Sequence, residues 1–470
     1  MPSEASASNP SAPHRFLPYL LAVSAFMQML DATILNTALP SIAADLQESP
    51  LRMQSAVISY ALTLALIMPL SGYLCDRFGT KRIFGGAIFV FVLGSLLCAA
   101  AQNLTMLVAA RIVQGIGGAM LLPVPRMIMM RAYSKDRLLN ILNIMLMPAL
   151  VGPILGPLVG GYLVDYASWH WIFLINVPIG LLGLFLTFKI MPDFYAVGRI
   201  YPLDISGFLL FAFAAAGLTF AAEIFIYPRL RMYALMLFLL GIASLYAYWR
   251  HAYHDPEPLY QPNLLQVRTY RLGLLGNMLS RLGMSAVPFL LPLLFQVAFA
   301  YSASASAWML APIAIATMLA KPFIKSLMRR FGYRRVLVMN TRLLGILIAL
   351  LAFLDADTPI VPAIILLFIM GASNSIQFTS MNTIALSNLR AWQTGSGNSL
   401  LAVNQQLSIA FGIAFGAMLL NQLSANLAFQ DDLPQAFRYT FMILGGVTFL
   451  SSWVFRALHP RDGSSLVGVK

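Results

Sequence analysis

Two charged side chains stand inside stretches that are otherwise almost wholly apolar. Asp31 falls within Leu30-Asp31-Ala32-Thr33-Ile34-Leu35-Asn36-Thr37-Ala38-Leu39-Pro40, and Arg111 opens Arg111-Ile112-Val113-Gln114-Gly115-Ile116-Gly117-Gly118. A carboxylate costs roughly 3 kcal/mol or more to place charged at mid-membrane. Its proton occupancy can follow the wetting and drying of a cavity, which is the chemistry of a proton carrier; the alternative is a structural carboxylate paired with a neighbour. On a helix, Asp31 and Asn36 lie about 140° apart at about 100° per residue. Arg111 also has two readings. It either approaches a buried carboxylate in one state and so switches proton release, or it snorkels to an interface from the start of its segment. The candidates for holding a cargo are Asn36, Gln114, Arg281, Asn374 and Gln377 of the string Ser373-Asn374-Ser375-Ile376-Gln377, and Gln405. Only Asp31 and Glu223 are carboxylates within apolar runs. Arg281 is mid-run and Lys321 well inside another, and cations there favour an anionic cargo by Coulomb attraction in a low dielectric. Lys321 can also snorkel to the nearer surface.

Composition fixes what surrounds these groups. Of 470 residues, 59% are hydrophobic and 10% are charged, against roughly 25% charged in a typical soluble domain. So few charges cannot cover a water-facing surface. An ordinary soluble enzyme, a disordered chain and a coiled coil are excluded. The net charge of +13 fits basic loops and attraction to anionic lipid rather than a nucleic-acid partner. Cys75 and Cys98 lie in apolar runs and cannot build a disulfide framework, and neither a metal nor a cofactor is indicated. No GxxxxGK[ST] string occurs, so uphill work must draw on an ion gradient, with the proton as coupling ion. The histidines His14, His170, His251, His254 and His459 fall in loops, tails or interfaces, and no HExxH occurs. A membrane-embedded enzyme is therefore the disfavoured class.

The elements that must position these residues are helices. Runs of the length needed to cross a bilayer occur near 16–40, 54–75, 83–101, 105–125, 139–163, 171–191, 206–226, 232–249, 272–296, 303–324, 336–354, 359–378, 396–420 and 438–456. Irregular backbone cannot face lipid, and these runs lack the alternation of barrel strands. The expectation is an all-α integral membrane protein with fourteen transmembrane helices. With a cytoplasmic N-terminus, 22 of the 30 Lys and Arg fall in cytoplasmic loops and tails, four fall outside, and four lie in or near spans. That asymmetry is the positive-inside rule kept loop after loop, and it puts both termini in the cytoplasm. The Ser/Ala/Pro-rich stretch 1–13 is expected to be disordered.

Two loops repeat. Phe78-Gly79-Thr80-Lys81-Arg82 and Phe331-Gly332-Tyr333-Arg334-Arg335 each follow the second helix of a six-helix set, if the runs near 206–226 and 232–249 are an insert. Duplicated halves around a cavity are a common build of secondary transporters. The expected organisation is a tail 1–15, a six-helix bundle 16–192, a two-helix insert 193–250, a linker 251–271, a second bundle 272–456 and a tail 457–470.

Longer strings carry a resemblance. Gly72-Tyr73-Leu74-Cys75-Asp76-Arg77-Phe78-Gly79-Thr80-Lys81-Arg82 resembles the G-x-L-x-D-r-x-G-r-[KR]-[KR] loop of the major facilitator superfamily. The Asp31 string resembles L-D-x-T-[IV]-[VL]-N-x-A-L-P, and the Arg111 string resembles R-x-x-Q-G-x-G-[GA]. Gly152-Pro153-Ile154-Leu155-Gly156-Pro157-Leu158-Val159-Gly160-Gly161 resembles the antiporter pattern G-x-x-x-G-P-x-x-G-G. Ser168-Trp169-His170-Trp171-Ile172-Phe173-Leu174-Ile175-Asn176-Val177-Pro178-Ile179-Gly180 and Asp204-Ile205-Ser206-Gly207-Phe208 resemble signatures of its fourteen-helix drug:proton antiporter branch, though His170 stands where that branch usually has Arg. The resemblance implies two six-helix bundles with two inserted helices, and proton-coupled export by alternating access. It assigns Asp31 and Arg111 to proton coupling. It assigns Gly72, Asp76, Arg77, Gly79, Lys81 and Arg82 to a cytoplasmic gate. Gly152, Gly156, Pro157, Gly160 and Gly161 form the exporter motif. It implies multidrug efflux, whereas the buried cations suggest an anionic metabolite such as citrate or iron-citrate. The expected setting is a bacterial inner membrane. The expected partners are a small-molecule substrate and the lipid bilayer, with a monomer and no adaptor protein indicated.

Overall fold

The computed structural model describes residues 14–196, 202–225, 227–425 and 432–467; the expectation for 1–13 lies outside them. Its long helices are α1 (Leu17–Asp45), α2 (Pro50–Ile67), α3 (Thr80–Ala99), α4 (Leu104–Ala132), α5 (Lys135–Tyr166), α6 (Trp171–Ile190), α7 (Ile205–Ile224), α8 (Arg231–His254), α9 (Arg268–Ala298), α10 (Ala303–Phe331), α11 (Tyr333–Phe353), α12 (Ile360–Leu386), α13 (Thr394–Ser424) and α14 (Leu433–Arg456). The first thirteen are apolar and long enough to cross a membrane. The last has 24 residues and is diluted by Arg438, Arg456, Gln435 and two serines, yet it packs along α11 and α9 like its neighbours. Backbone polar groups in hydrocarbon must be satisfied internally, and a helix does so within one segment.

Several boundaries differ from the apolar runs. α2 is interrupted at Met68-Pro69 and resumes as Leu70–Phe78. α4 breaks after Gly118 and restarts at Pro123, a residue suited to a first helical position. The restart carries Arg131, expected in a loop, in its last helical turn.

The two repeated loops share one backbone solution. Gly79 has φ of +89° and Gly332 has φ of +74°, each joining two helices at a sharp corner. Glycine enters that region without a Cβ penalty, so the local match reflects a required conformation.

The two bundles share an extensive apolar cluster at one end. A single apolar cluster takes in Ile34, Ala38 and Ile58 from the first half with Leu290, Phe295 and Ile413 from the second. At the end carrying the two basic loops, the clusters are separate. One holds Leu21, Phe84 and Ile128 of the first half, and the other holds Met328, Leu337 and Phe455 of the second. Toward the basic end the halves keep separate cores, bridged on one side where Ala65 of α2 packs with Val403 of α13. α7 and α8 form a hairpin against α2 and α13, where Ala65, Tyr248, Ala252, Tyr260 and Val403 pack together. Asp204 ties the hairpin's base. It caps α7 by accepting from Gly207 N at 2.7 Å, accepts from Leu259 N at 3.1 Å, and lies 2.7 Å from His251 Nε2.

Candidate functional site

Asp31 sits where α1, α2, α3, α4 and α6 converge. Arg111 donates through Nη1 to Asp31 Oδ2 at 2.8 Å. Gln114, one turn along α4, donates through Nε2 to Asp31 Oδ1 at 2.7 Å and accepts from Arg111 Nη1 at 2.6 Å. Asn176, where α6 resumes, donates to Asp31 Oδ1 at 3.1 Å. Ser95 of α3 accepts from Gln114 Nε2 at 2.8 Å. The guanidinium lies 4.0 Å from the Tyr60 ring centroid, and its Nε donates to Ala56 O at 3.4 Å. Asp31 and Arg111 are each 1% exposed. Burial at that level removes the snorkelling alternative for Arg111.

With both groups charged, the pair is compensated and its lone pairs are filled. If Asp31 gains a proton, Arg111 is left as a buried charge without its counter-ion, which is strongly unfavourable. The guanidinium must then shift or be rehydrated. The Asp31–Arg111 pair thus ties together five helices.

The exporter-motif glycines explain how α1 reaches this depth. A Cβ at Gly152 would lie 2.9 Å from Met29 Cβ, one at Gly156 would meet Thr33 Oγ1, and one at Gly160 would lie 2.7 Å from Ile34 O. These contacts run along α1 on both sides of Asp31. Small residues four apart allow such backbone approach. Gly161 faces elsewhere: its Cβ would come 2.7 Å from Ala303 O, across the seam to the second half. Pro153 and Pro157 lie within the same helix.

In the basic loop, Asp76 pairs with Arg131 rather than with Arg77. Arg77 instead donates to Tyr73 Oη at 2.6 Å. The chain after α6 completes the corner: Lys81 N donates to Asp193 Oδ1 at 3.0 Å, and Thr80 N donates to Phe194 O at 3.0 Å. Gly72 faces Met127 with room to spare, and Arg82 is exposed.

The cargo candidates divide. Gln114 is committed to Asp31, Arg111 and Ser95, so it is a positioning group, not a free one. Gln377 is likewise consumed. It accepts from Asn340 Nδ2 at 3.0 Å and donates to Thr341 Oγ1 at 2.8 Å, inside the second half. Both depart from the expectation for the same reason: a buried amide fills both its ends with protein partners. Asn36 is buried away from the Asp31 cluster, with Oδ1 lacking a hydrogen-bond partner. Arg281 stacks 4.8 Å from the Phe378 ring centroid, and its Nε is buried without a partner. Asn374 is half-buried one turn before Phe378, and Gln405 donates to Asn382 Oδ1 at 2.9 Å. Ser95, Asn176 and Tyr60 were not singled out from the sequence. Asn176 lies within a recognised string, but only the fold shows that it faces Asp31.

A profile of the Major Facilitator Superfamily matches residues 21–198 and 273–469. The chain belongs to the major facilitator superfamily. Within it, the chain is 41% identical to "Probable transport protein HsrA" of Haemophilus influenzae, over 96% of this chain and 98% of that one. It is 39% identical to "Putative multidrug resistance protein MdtD" of Pectobacterium carotovorum, over 96% and 97%. Among solved structures, a peptide transporter POT in complex with sulfate superposes with a TM-score of 0.69 at 16% identity, over 98% and 97% of the two chains. A D-xylose-proton symporter gives 0.67 at 13%, over 95% and 98%. Those two likenesses concern the fold. This superfamily member is a multi-pass membrane transporter, and the relatives it matches are transporters rather than enzymes.

Proposed function

We propose that this protein is a proton-coupled exporter of amphipathic drug-like molecules, working by alternating access across a bacterial inner membrane with the basic loops and both termini in the cytoplasm. The observation that carries this reading is the closed Asp31–Arg111 pair, 1% exposed on each side. Cargo enters between the halves from the cytoplasmic end, where their clusters are separate. A proton from outside neutralises Asp31, Arg111 loses its counter-charge, and the bundles rock. Release of that proton to the cytoplasm restores the pair. The Asp76–Arg131 bridge and the Gly79 corner latch the cytoplasmic side of the first half.

A second reading concerns cargo charge. The six helices of the second half contain no Asp or Glu, whereas Arg281 lies half-buried in α9 with its Nε fully buried. The first half's deep acid is already paired. This favours an anion, such as a carboxylate metabolite of the citrate or iron-citrate kind, over a cation. The test is uptake into everted vesicles under an imposed proton gradient, with a panel of dyes and carboxylates. Uptake that a protonophore leaves unchanged would refute proton coupling. Arg281→Ala is expected to weaken an anionic substrate by about tenfold or more and to spare a cationic dye. Equal losses for both would remove the charge-selecting role.

A further inference from the structure

We infer that Asp165 is a gating residue, whose carboxylate holds the outer side shut by capping a helix that belongs to the opposite half. The inference rests on the alternating-access reading above. Asp165 closes α5, the helix whose glycines seat α1. Its Oδ1 accepts from Ala303 N at 3.2 Å and its Oδ2 from Ser304 N at 2.8 Å. These are the first two amides of α10, a helix of 29 residues. The third, Ala305 N, is satisfied by Ser302 Oγ at 3.2 Å within its own half. The cap of α10 is therefore split between halves: one amide is served locally and two are served across the seam. Residues preceding the carboxylate set the approach. Gly161 presses on Ala303 and Ser304, and Tyr162 Oη accepts from Trp308 Nε1 at 3.1 Å. Gln296 Nε2 donates to Thr37 O at 2.9 Å across the same end. Of these cross-seam links only Asp165 brings a charge, and it meets the positive end of a helix dipole.

Outward opening must part the exposed Asp165 carboxylate from α10 and break both of these hydrogen bonds. Removing the charge weakens this clasp and shifts the population toward an open outer side. The sequence offers no sign of it, because Asp165 reads as an ordinary loop-proximal acid and its partners are backbone atoms 138 and 139 residues away.

The test uses the full chain with Cys75→Ser and Cys98→Ser and a reporter Thr37→Cys, buried behind the seam at 0% exposure. A membrane-impermeant maleimide is applied from the outer side. Labelling is expected to be slow with Asp165, about two- to fivefold faster with Asp165→Asn, and near the parental rate with Asp165→Glu, at unchanged melting temperature. Equal slow rates for Asp165 and Asp165→Asn would overturn the role of Asp165 alone. Fast labelling of the parental chain would overturn the closed outer side, and alternating access from this state with it.

Discussion

Arg111→Gln is expected to cost this protein about 3–5 kcal/mol of stability, because it strands the Asp31 carboxylate in a dry site. Asp31→Asn should cost a comparable amount by leaving Arg111 uncompensated, even though the new amide can still meet Gln114 and Asn176. The informative variant is the double one. In Asp31→Asn with Arg111→Gln, both charges are gone and the neighbours Gln114, Asn176 and Ser95 still offer hydrogen bonds. Its stability should return most of the way, giving a coupling energy of about 2 kcal/mol or more between the two sites. Thermal unfolding of the detergent-solubilised protein measures all four corners of this cycle. Transport driven by a proton gradient should be absent in all three variants. Additive losses would show that the pair is not the organising contact. Driven transport in the folded double variant would remove Asp31 from coupling.

That cycle also shows what was legible beforehand. Asp31 and Arg111 are conspicuous as single charges in apolar runs, so the cost of burying them marks them without any knowledge of partners. The same holds for Gly79 and Gly332, where a short loop repeat foretold one positive-φ corner used twice. Partnership was less legible, because it depends on how each helix is rotated and how deep it lies. Ser95 and Asn176 are small polar residues of a kind scattered through many helices, and they gain meaning only when α3 and α6 turn them toward α1. Gln114 and Gln377 illustrate the same point: each is aimed at a neighbour inside its own half. Arg131 lies beyond the apolar run 105–125 and so counts as a loop charge, whereas Pro123 starts a further helical segment that delivers Arg131 to Asp76.

Gly156 should be the least replaceable glycine of the exporter motif. A Cβ there meets Thr33 Oγ1, and Ile34 N lies 3.1 Å away. Thr33 cannot simply rotate aside at no cost, since its hydroxyl donates to Leu30 O at 3.1 Å and Met29 O at 3.2 Å. Overfilled contacts of this sort typically cost about 1–3 kcal/mol. Gly156→Ala is expected at the lower end of that range and Gly156→Leu beyond it, because a branched chain must push α1 away bodily. The functional loss should exceed the stability loss. α1 carries Asp31 two residues from Thr33, and a shift of about 1 Å would lengthen its 2.7–2.8 Å bonds to Gln114 and Arg111. Rescue separates this from generic damage. Adding Thr33→Ala to Gly156→Ala removes the obstructing hydroxyl, and it should restore both melting temperature and driven transport substantially. Thr33→Ala alone should be mild. If the double variant stays as impaired as Gly156→Ala, helix approach at Thr33 is not what this glycine provides. The remaining contacts, Thr33 Cβ and Ile34 N, each 3.1 Å away, would then carry the constraint.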